Sequence, residues 1–509
     1  AVYVNYSQVN ENTAGQDGGG LKSTGLIDLR ESQFKNNLAT GDDGGGIWVD
    51  LGNSVPDVDS IFLINCVFES NFCSSDGGGI NVNFDMANPP VFMLERCIIA
   101  GNQAEDDAGG LYFDDDVEDD KVVVHMNSCQ VTGNEADGDD GGAILIVDYI
   151  QLELTNCTFV GNYSDDDGVL EVDQSTSEII ARNCIFFEND ADDNSDGVID
   201  SKGDVTLISC FITDGTDRIS VEDDLTTDQI WDTDDFPDIF FVDFNFSADD
   251  DAPTAEGDFR LSKHSPLINL GDSTLSAGLK LDLDGNNRVS ESNIDLGAYE
   301  LLPLFAEGSG SESDPYQITD WFELDNTRYR PDSHFVMINT LDDSTAGYDS
   351  LASSTANPGD HDGDPGVGSP DQPRGWLPIG DPTFPFSGHF DGGGFSISKL
   401  RQNVPGPAGV FGLVDSGEIR NLNLENVVIT ANVNSGGCLI GQAGAVKVVN
   451  VNIDTLSSAQ GSIEIGGLIG KGIGVVIDSC VSSARVTGIG GMSSKMGGLA
   501  GSIQGMGAK

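Results

Sequence analysis

Five segments set carboxylates directly ahead of glycine and an apolar run: DDGGGIWV from Asp42, SDGGGINV from Ser75, DDAGGLYF from Asp106, DDGGAILI from Asp139 and DDDGVLEV from Asp165. Carboxylates are hard oxygen ligands, and glycine permits tight positive-φ turns that leave backbone carbonyls accessible. Ca²⁺ takes six to eight oxygens in tolerant geometry, whereas Mg²⁺ holds to a strict octahedron with retained waters. The candidate ligands are Asp42, Asp43, Asp76, Asp106, Asp107, Asp139, Asp140, Asp165, Asp166 and Asp167, with Asp192, Asp193 and Asp196 in a further acidic loop. If these corners stack at the spacing of neighbouring strands, ~5 Å, unscreened like charges cost on the order of 1 kcal/mol per neighbour. A shared cation would turn that repulsion into a clamp. A single aspartate is readily explained as a solvated loop residue; the column as a whole reads as a Ca²⁺ site.

Two other spacings suit a cation. Asp282-x-Asp284-Gly-Asn286 begins like an EF-hand loop, but Asn293 stands at its twelfth position and helical flanks are missing, so a closing turn is the other reading. Asp360, Asp362 and Asp364 alternate along the Gly/Pro-rich NPGDHDGDPG. No catalytic residue is assigned. Aspartate is too abundant for a carboxylate pair to single out an acid and a base. HExxH, GxSxG and CxxC are absent. The bases of the first 215 residues, Lys22, Arg30, Lys35, Arg96, Lys121, Arg182 and Lys202, include no clustered pair, and His125 in VVVHMNSC reads as a core or strand-face residue rather than a catalytic one.

The elements that must position these corners repeat. Aligned on Cys-x-x-x-x-Asn, the chain gives CVFESN from Cys66, CIIAGN from Cys97, CQVTGN from Cys129, CTFVGN from Cys157 and CIFFEN from Cys184, with SQFKNN from Ser32 and CFITDG from Cys210 as variants. Successive offsets are 34, 31, 32, 28, 27 and 26 residues, as variable loops joining fixed strands would give. Stretches such as IFLINCVF alternate with period two, which marks a strand with one face inward. Strand–turn–strand repeats without helical segments stack into a parallel β-solenoid. Asn37, Asn71, Asn102, Asn134, Asn162 and Asn189 then form a ladder whose amides bond from rung to rung. The cysteines form an interior stack, read as free thiols although neighbouring rungs would also lie within disulfide range.

Composition agrees. The chain has 509 residues, 65 glycines, 38% hydrophobic residues and a net charge of −62. That content suits a thin-cored repeat protein. The charge argues against nucleic acid and anionic membranes as partners. It is uneven: from Gly406 to Lys509 six acids meet six bases, so the acidity marks local sites in the first four-fifths rather than a chain adapted throughout to brine. No apolar run is long enough to span a membrane.

The Cys/Ser-x-Phe-x-x-Asn pattern with its Gly-rich corner resembles the right-handed parallel β-helix repeats of polymorphic outer-membrane proteins and related bacterial and archaeal surface proteins, over about residues 1–215. GDFRLSKHSPLINLGD from Gly257 and DLGAYE from Asp295 resemble the last rung of secreted choice-of-anchor proteins, which implies export and a domain end near Leu302. GVFGLV at Gly409, GGCLIG at Gly436, GGLIGK at Gly466 and GGLAGS at Gly497 recur every 27 to 31 residues and resemble the GLUG repeats of surface proteins. The expected fold is therefore all-β. A right-handed parallel β-helix occupies 1–302, a linker region with a long acidic loop 303–385, and a second β-solenoid of GLUG repeats 386–509. Neither end shows an obvious cap, as in a piece of a longer protein or a fibre of stacked copies.

The expected function is a Ca²⁺-stabilised structural or adhesive surface protein, extracellular or at the cell surface. Its partners would be copies of itself or surface polysaccharide, without nucleic acid and without membrane insertion. The alternative is a polysaccharide lyase or glycoside hydrolase on the same scaffold.

Overall fold

The computed structural model describes residues 2–505 apart from 53–59, 87, 116, 118–120, 192–197, 214, 233–240, 244–251, 264, 277, 290–292, 357–373, 433 and 490–493. The chain divides into two compact units, Ala1–Leu302 and Pro303–Lys509.

In the first unit the rungs as far as Ser201 carry four short strands each, and each strand pairs in parallel with its counterpart one rung away; the next rung runs its first two strands together as Asp204–Ile212. The first ladder runs through Ile27–Arg30, Ser60–Ile64, Val91–Glu95, Val122–Asn127, Ile150–Thr155 and Glu178–Arg182. The second follows the Cys position, as in Val67–Glu69 and Ile98–Ala100. The third is two residues long and follows the Asn position, as in Phe72–Cys73 and Gln103–Ala104. The fourth follows the glycines: Leu21–Ser23, Ile47–Asp50, Ile80–Asn83, Leu111–Asp114, Ile144–Ile146, Leu170–Val172 and Ile199–Ser201. Period-two alternation sends Leu63, Leu94, Met126, Leu154 and Ala181 inward from the first ladder and Val49, Val82, Phe113, Ile146 and Val172 inward from the fourth. Equivalent aromatics stack, with ring centroids 5.1 Å apart for Phe34–Phe68 and 5.0 Å for Phe159–Phe186. Cys66, Cys97, Cys129, Cys157, Cys184 and Cys210 are buried free thiols.

The asparagine ladder is complete. The Asn102 side-chain amide donates to Asn134 Oδ1 at 2.9 Å and to the Phe68 carbonyl at 3.0 Å. Its oxygen accepts from the Asn71 backbone N–H at 3.0 Å and the Asn71 side chain at 2.9 Å. Asn12 joins the ladder below Asn37.

The closing segment departs from the expectation of a last rung. It lies along the side of the coil: the Ala298 N–H donates to Thr158 Oγ1 at 2.9 Å, the Tyr299 hydroxyl to Gln130 Oε1 at 2.6 Å and the Gly297 N–H to the Asn183 carbonyl at 2.9 Å. Val160, Ile185, Phe211, Phe259, Leu267 and Leu296 form a second core beneath it. Val160, Ile185 and Phe211, on the outside of the second ladder, form an apolar patch that Phe259, Leu267 and Leu296 cover from the side.

The second unit is also built from parallel ladders, for instance His389–Asp391, Glu418–Glu425 and Lys447–Ile453, or Phe411–Val414, Ile440–Ala443, Ile469–Ile473 and Ala500–Gln504. The stretch expected as a linker contributes Tyr316–Ile318 and His334–Met337, in register with His389–Asp391. It also holds one short α-helix, Trp321–Asn326, capped by Asp320.

Candidate metal centre

The acidic corner joins the third ladder to the fourth. After its second carboxylate the chain turns through the left-handed region, at Gly44 (φ 68°), Gly77 (φ 74°), Ala108 (φ 56°) and Gly141 (φ 74°). The next glycines serve close approach: a Cβ on Gly78 would lie 2.4 Å from the Gln103 carbonyl oxygen of the neighbouring rung. The corner carbonyls are not left open as the sequence suggested. Those of Asp76, Gly77 and Gly78 accept the N–H groups of Gly44, Gly45 and Gly46.

The carboxylates fall into two columns. The inner one is Asp43, Asp76, Asp107, Asp140 and Asp167. Asp43 Oδ1 accepts the Asp76 backbone N–H at 3.3 Å, Asp76 Oδ1 that of Asp107 at 3.3 Å, Asp107 Oδ1 that of Asp140 at 3.1 Å, and Asp140 Oδ1 that of Asp167 at 3.0 Å. These aspartates therefore hold rung to rung as the asparagines do. The outer column is Asp42, Asp106, Asp139 and Asp166, broken where Ser75 replaces the acid. Among the described residues two sets of three carboxylates gather ligand oxygens within 4.8 Å of one another, Asp106–Asp107–Asp139 and Asp139–Asp140–Asp166. Asp165 is exposed and acts on Glu135 instead.

Burial, with the neighbouring carboxylates adding to it, pushes Asp76 up to about 6, Asp107 to about 7 and Asp140 to about 6. Asp43 and Asp139 are raised by the same causes. Three acids escaped the sequence reading. Asp17, in QDGGGLKS, holds the inner position one rung earlier and pairs with Lys22; the repeated DGGG would have found it. Glu135 is pushed up to about 7 by burial, Asp137 and Asp165. Glu171 is 3% exposed, its Oε2 has no hydrogen-bond partner, and burial beside Asp140, Asp200 and Asp167 pushes it up to about 10.

These raised values carry a sign. The folded state binds more protons than the unfolded chain wherever the pH lies between the ordinary carboxylate value and the folded one. For the inner aspartates that window runs from 3.8 to about 6 or 7. Their contribution is fully present below it and is lost as pH rises through it. Metal-free protein at low salt is accordingly expected to melt roughly 5 °C lower at pH 8 than at pH 5. Thermal scans in chelator check this, and a melting point that rises with pH would contradict the burial of the inner column.

The remaining candidates lie elsewhere. Asp282 is fully buried and accepts from the Asn286 N–H at 2.6 Å and the Glu300 N–H at 2.9 Å. Asp284 pairs with Arg260 at 2.6 and 2.8 Å, and the Asn286 side chain returns to Asp282 at 3.2 Å. This is the geometry of a turn closed on its own partners. Asp192, Asp193, Asp196, Asp360, Asp362 and Asp364 lie outside the described residues.

Residues 21–212 match the family model described as a right handed beta helix region. The coil of the first unit is thus a right-handed parallel β-helix. Over 205 residues the chain is 31% identical to a protein named Putative Gly-rich membrane protein from Evansella cellulosilytica, a match covering 33% of this chain and 21% of that protein. Over 107 residues it is 34% identical to Halomucin from Haloquadratum walsbyi, covering 19% of this chain and 1% of Halomucin. The chain therefore spans only a small part of either relative. No solved structure matches. Among the described residues no helix is long and apolar enough to cross a membrane.

Proposed function

We propose that this chain is part of an extracellular or cell-surface structural protein whose β-helix is stiffened by Ca²⁺ held along the acidic corner. One observation carries the reading: the sets Asp106–Asp107–Asp139 and Asp139–Asp140–Asp166 share Asp139 and together span three successive rungs. Each inner aspartate spends one oxygen on the next rung, and its other oxygen, with the outer carboxylates, offers the hard ligands that Ca²⁺ takes. A cation there would relieve the like-charge repulsion that adds to burial in raising Asp107 and Asp140. The 282–286 turn is left out of the ligand set, since its carboxylates are already engaged. The names of the two relatives, and the resemblance to GLUG and choice-of-anchor surface proteins, support a surface location. Neighbouring copies or surface polysaccharide are the partners such a scaffold would meet.

The test is thermal unfolding of metal-stripped full-length chain in chelator, in millimolar CaCl₂, and in NaCl at matched ionic strength, with bound metal counted. A ligand at about a hundred times its Kd stabilises by ~2.7 kcal/mol, so Ca²⁺ is expected to raise the transition by several degrees beyond NaCl. Asp139→Asn, which cuts both carboxylate sets, should remove most of that difference. Equal stabilisation by both salts would leave screening alone and sink the proposal.

A further inference from the structure

The bases that looked scattered in sequence are brought together by the stacking of rungs. On the outer face of the first ladder, Met93, His125 and Glu153 stand in one register column, and Glu95, Asn127, Thr155 and Arg182 in the next. The closing segment passes over this face and makes the far wall of a groove of about 620 Å³. That wall is pinned: the Ser128 hydroxyl donates to the Leu281 carbonyl at 3.4 Å, and the Asn183 amide donates to the Asp272 carbonyl at 3.0 Å and to Ser276 Oγ at 3.1 Å. Among the described residues Arg96, Arg182 and Lys280, with His125, line the groove against two carboxylates, Glu95 and Glu153. In a chain of net charge −62 this is a local surplus of positive charge.

We infer that this groove binds a carboxylate-bearing saccharide, a uronate unit within an acidic glycan. Its mixed lining selects the class. Glu153 bridges His125 at 3.5 Å and Arg182 at 3.3 Å, and Glu95 is held by Arg96, so the two guanidinium groups are fixed in place. Arginine forks match a planar carboxylate. The two glutamates would repel a compact dianion such as phosphate but accept hydrogen bonds from sugar hydroxyls, while Asn127 and Thr155 supply further polar contacts. Among the described residues no Phe, Tyr or Trp lines the groove, so a base finds no such ring on which to stack. Lys280 is exposed on the wall, placed to meet an incoming carboxylate. The inference does not rest on the calcium reading, because the groove contains none of the corner carboxylates.

The experiment is calorimetric titration of the full-length chain with tri-galacturonate and with neutral galactotriose, both in chelator. The acidic sugar is expected to bind with a Kd at or below about 1 mM and the neutral one at least about tenfold more weakly. Lys280→Gln should weaken acidic-sugar binding up to about fivefold and Lys280→Glu more, without moving the melting point, as for an exposed charge. Lys202→Gln, which does not line the groove, should change nothing. Absence of binding, equal binding of the neutral sugar, or indifference to both Lys280 substitutions would each overturn the inference. Binding that appears only when Ca²⁺ is restored would overturn it too, and would point to cation bridging at the acidic corner.

Discussion

Asn102→Leu is expected to destabilise the first unit by ~4 kcal/mol or more, since it strips four hydrogen bonds from a buried site where each orphaned group costs about 1–3 kcal/mol. The side chain is fully buried. Its removal takes this partner from the Phe68 carbonyl and the Asn71 N–H, and one bond each from Asn134 Oδ1, which keeps the residue-102 backbone N–H, and from the Asn71 amide, which keeps the Phe34 carbonyl. Leucine fills similar volume, so the loss reports the polar groups rather than a cavity. Asn102→Asp keeps the shape and the acceptor but turns two donated bonds into contacts between oxygens, and should be comparably damaging at neutral pH. Urea unfolding of the full-length chain, followed by circular dichroism, reads both. A loss below about 1 kcal/mol would mean that water replaces the amide and that the ladder is not what holds the rungs in register.

What could be read from the sequence follows from which interactions are periodic in it. The Cys-x-x-x-x-Asn spacing fixes where each rung turns, so the asparagine and cysteine ladders were legible residue by residue. The corner was legible as a column but not as two columns. Adjacent aspartates such as Asp139 and Asp140 differ only in which way the turn points them, and that depends on the left-handed residue that follows. Glu171 gave no signal, because its burial comes from the rungs beside it and the same position of the fourth ladder carries residues as different as Lys22, Trp48, Asn81, Tyr112, Leu145 and Asp200. Arg96, His125 and Arg182 lie far apart in sequence and share a groove only because one rung separates each register step. The closing segment was recognised by its motif, but a motif does not say whether it ends the coil or lies against its flank. That was settled by the apolar residues Ile185 and Phe211 on the outer side.

That flank is held by Arg288. It is 1% exposed and donates to the Ala298 carbonyl at 3.0 Å, to the Asp295 carbonyl at 3.2 Å and to the Gly297 carbonyl. With its amide oriented to satisfy both ends, Asn156 donates to Ser276 and accepts from Arg288. Burial lowers the Arg288 pKa, while Glu300, Asp295 and Asp282 oppose that shift. A buried charge so placed costs desolvation, yet removing it leaves its partners uncompensated, which costs ~3–5 kcal/mol. Arg288→Met is therefore expected to release the closing segment from the coil before the rungs themselves unfold. Hydrogen exchange should rise at Gly271, Leu296 and Ala298 while Asn71 and Asn102 stay protected. The same substitution removes the far wall of the cationic groove, so acidic-sugar binding should fall together with the protection of the segment. If protection is lost evenly across rungs and segment, the closing segment is an inseparable part of the coil rather than a brace laid along it.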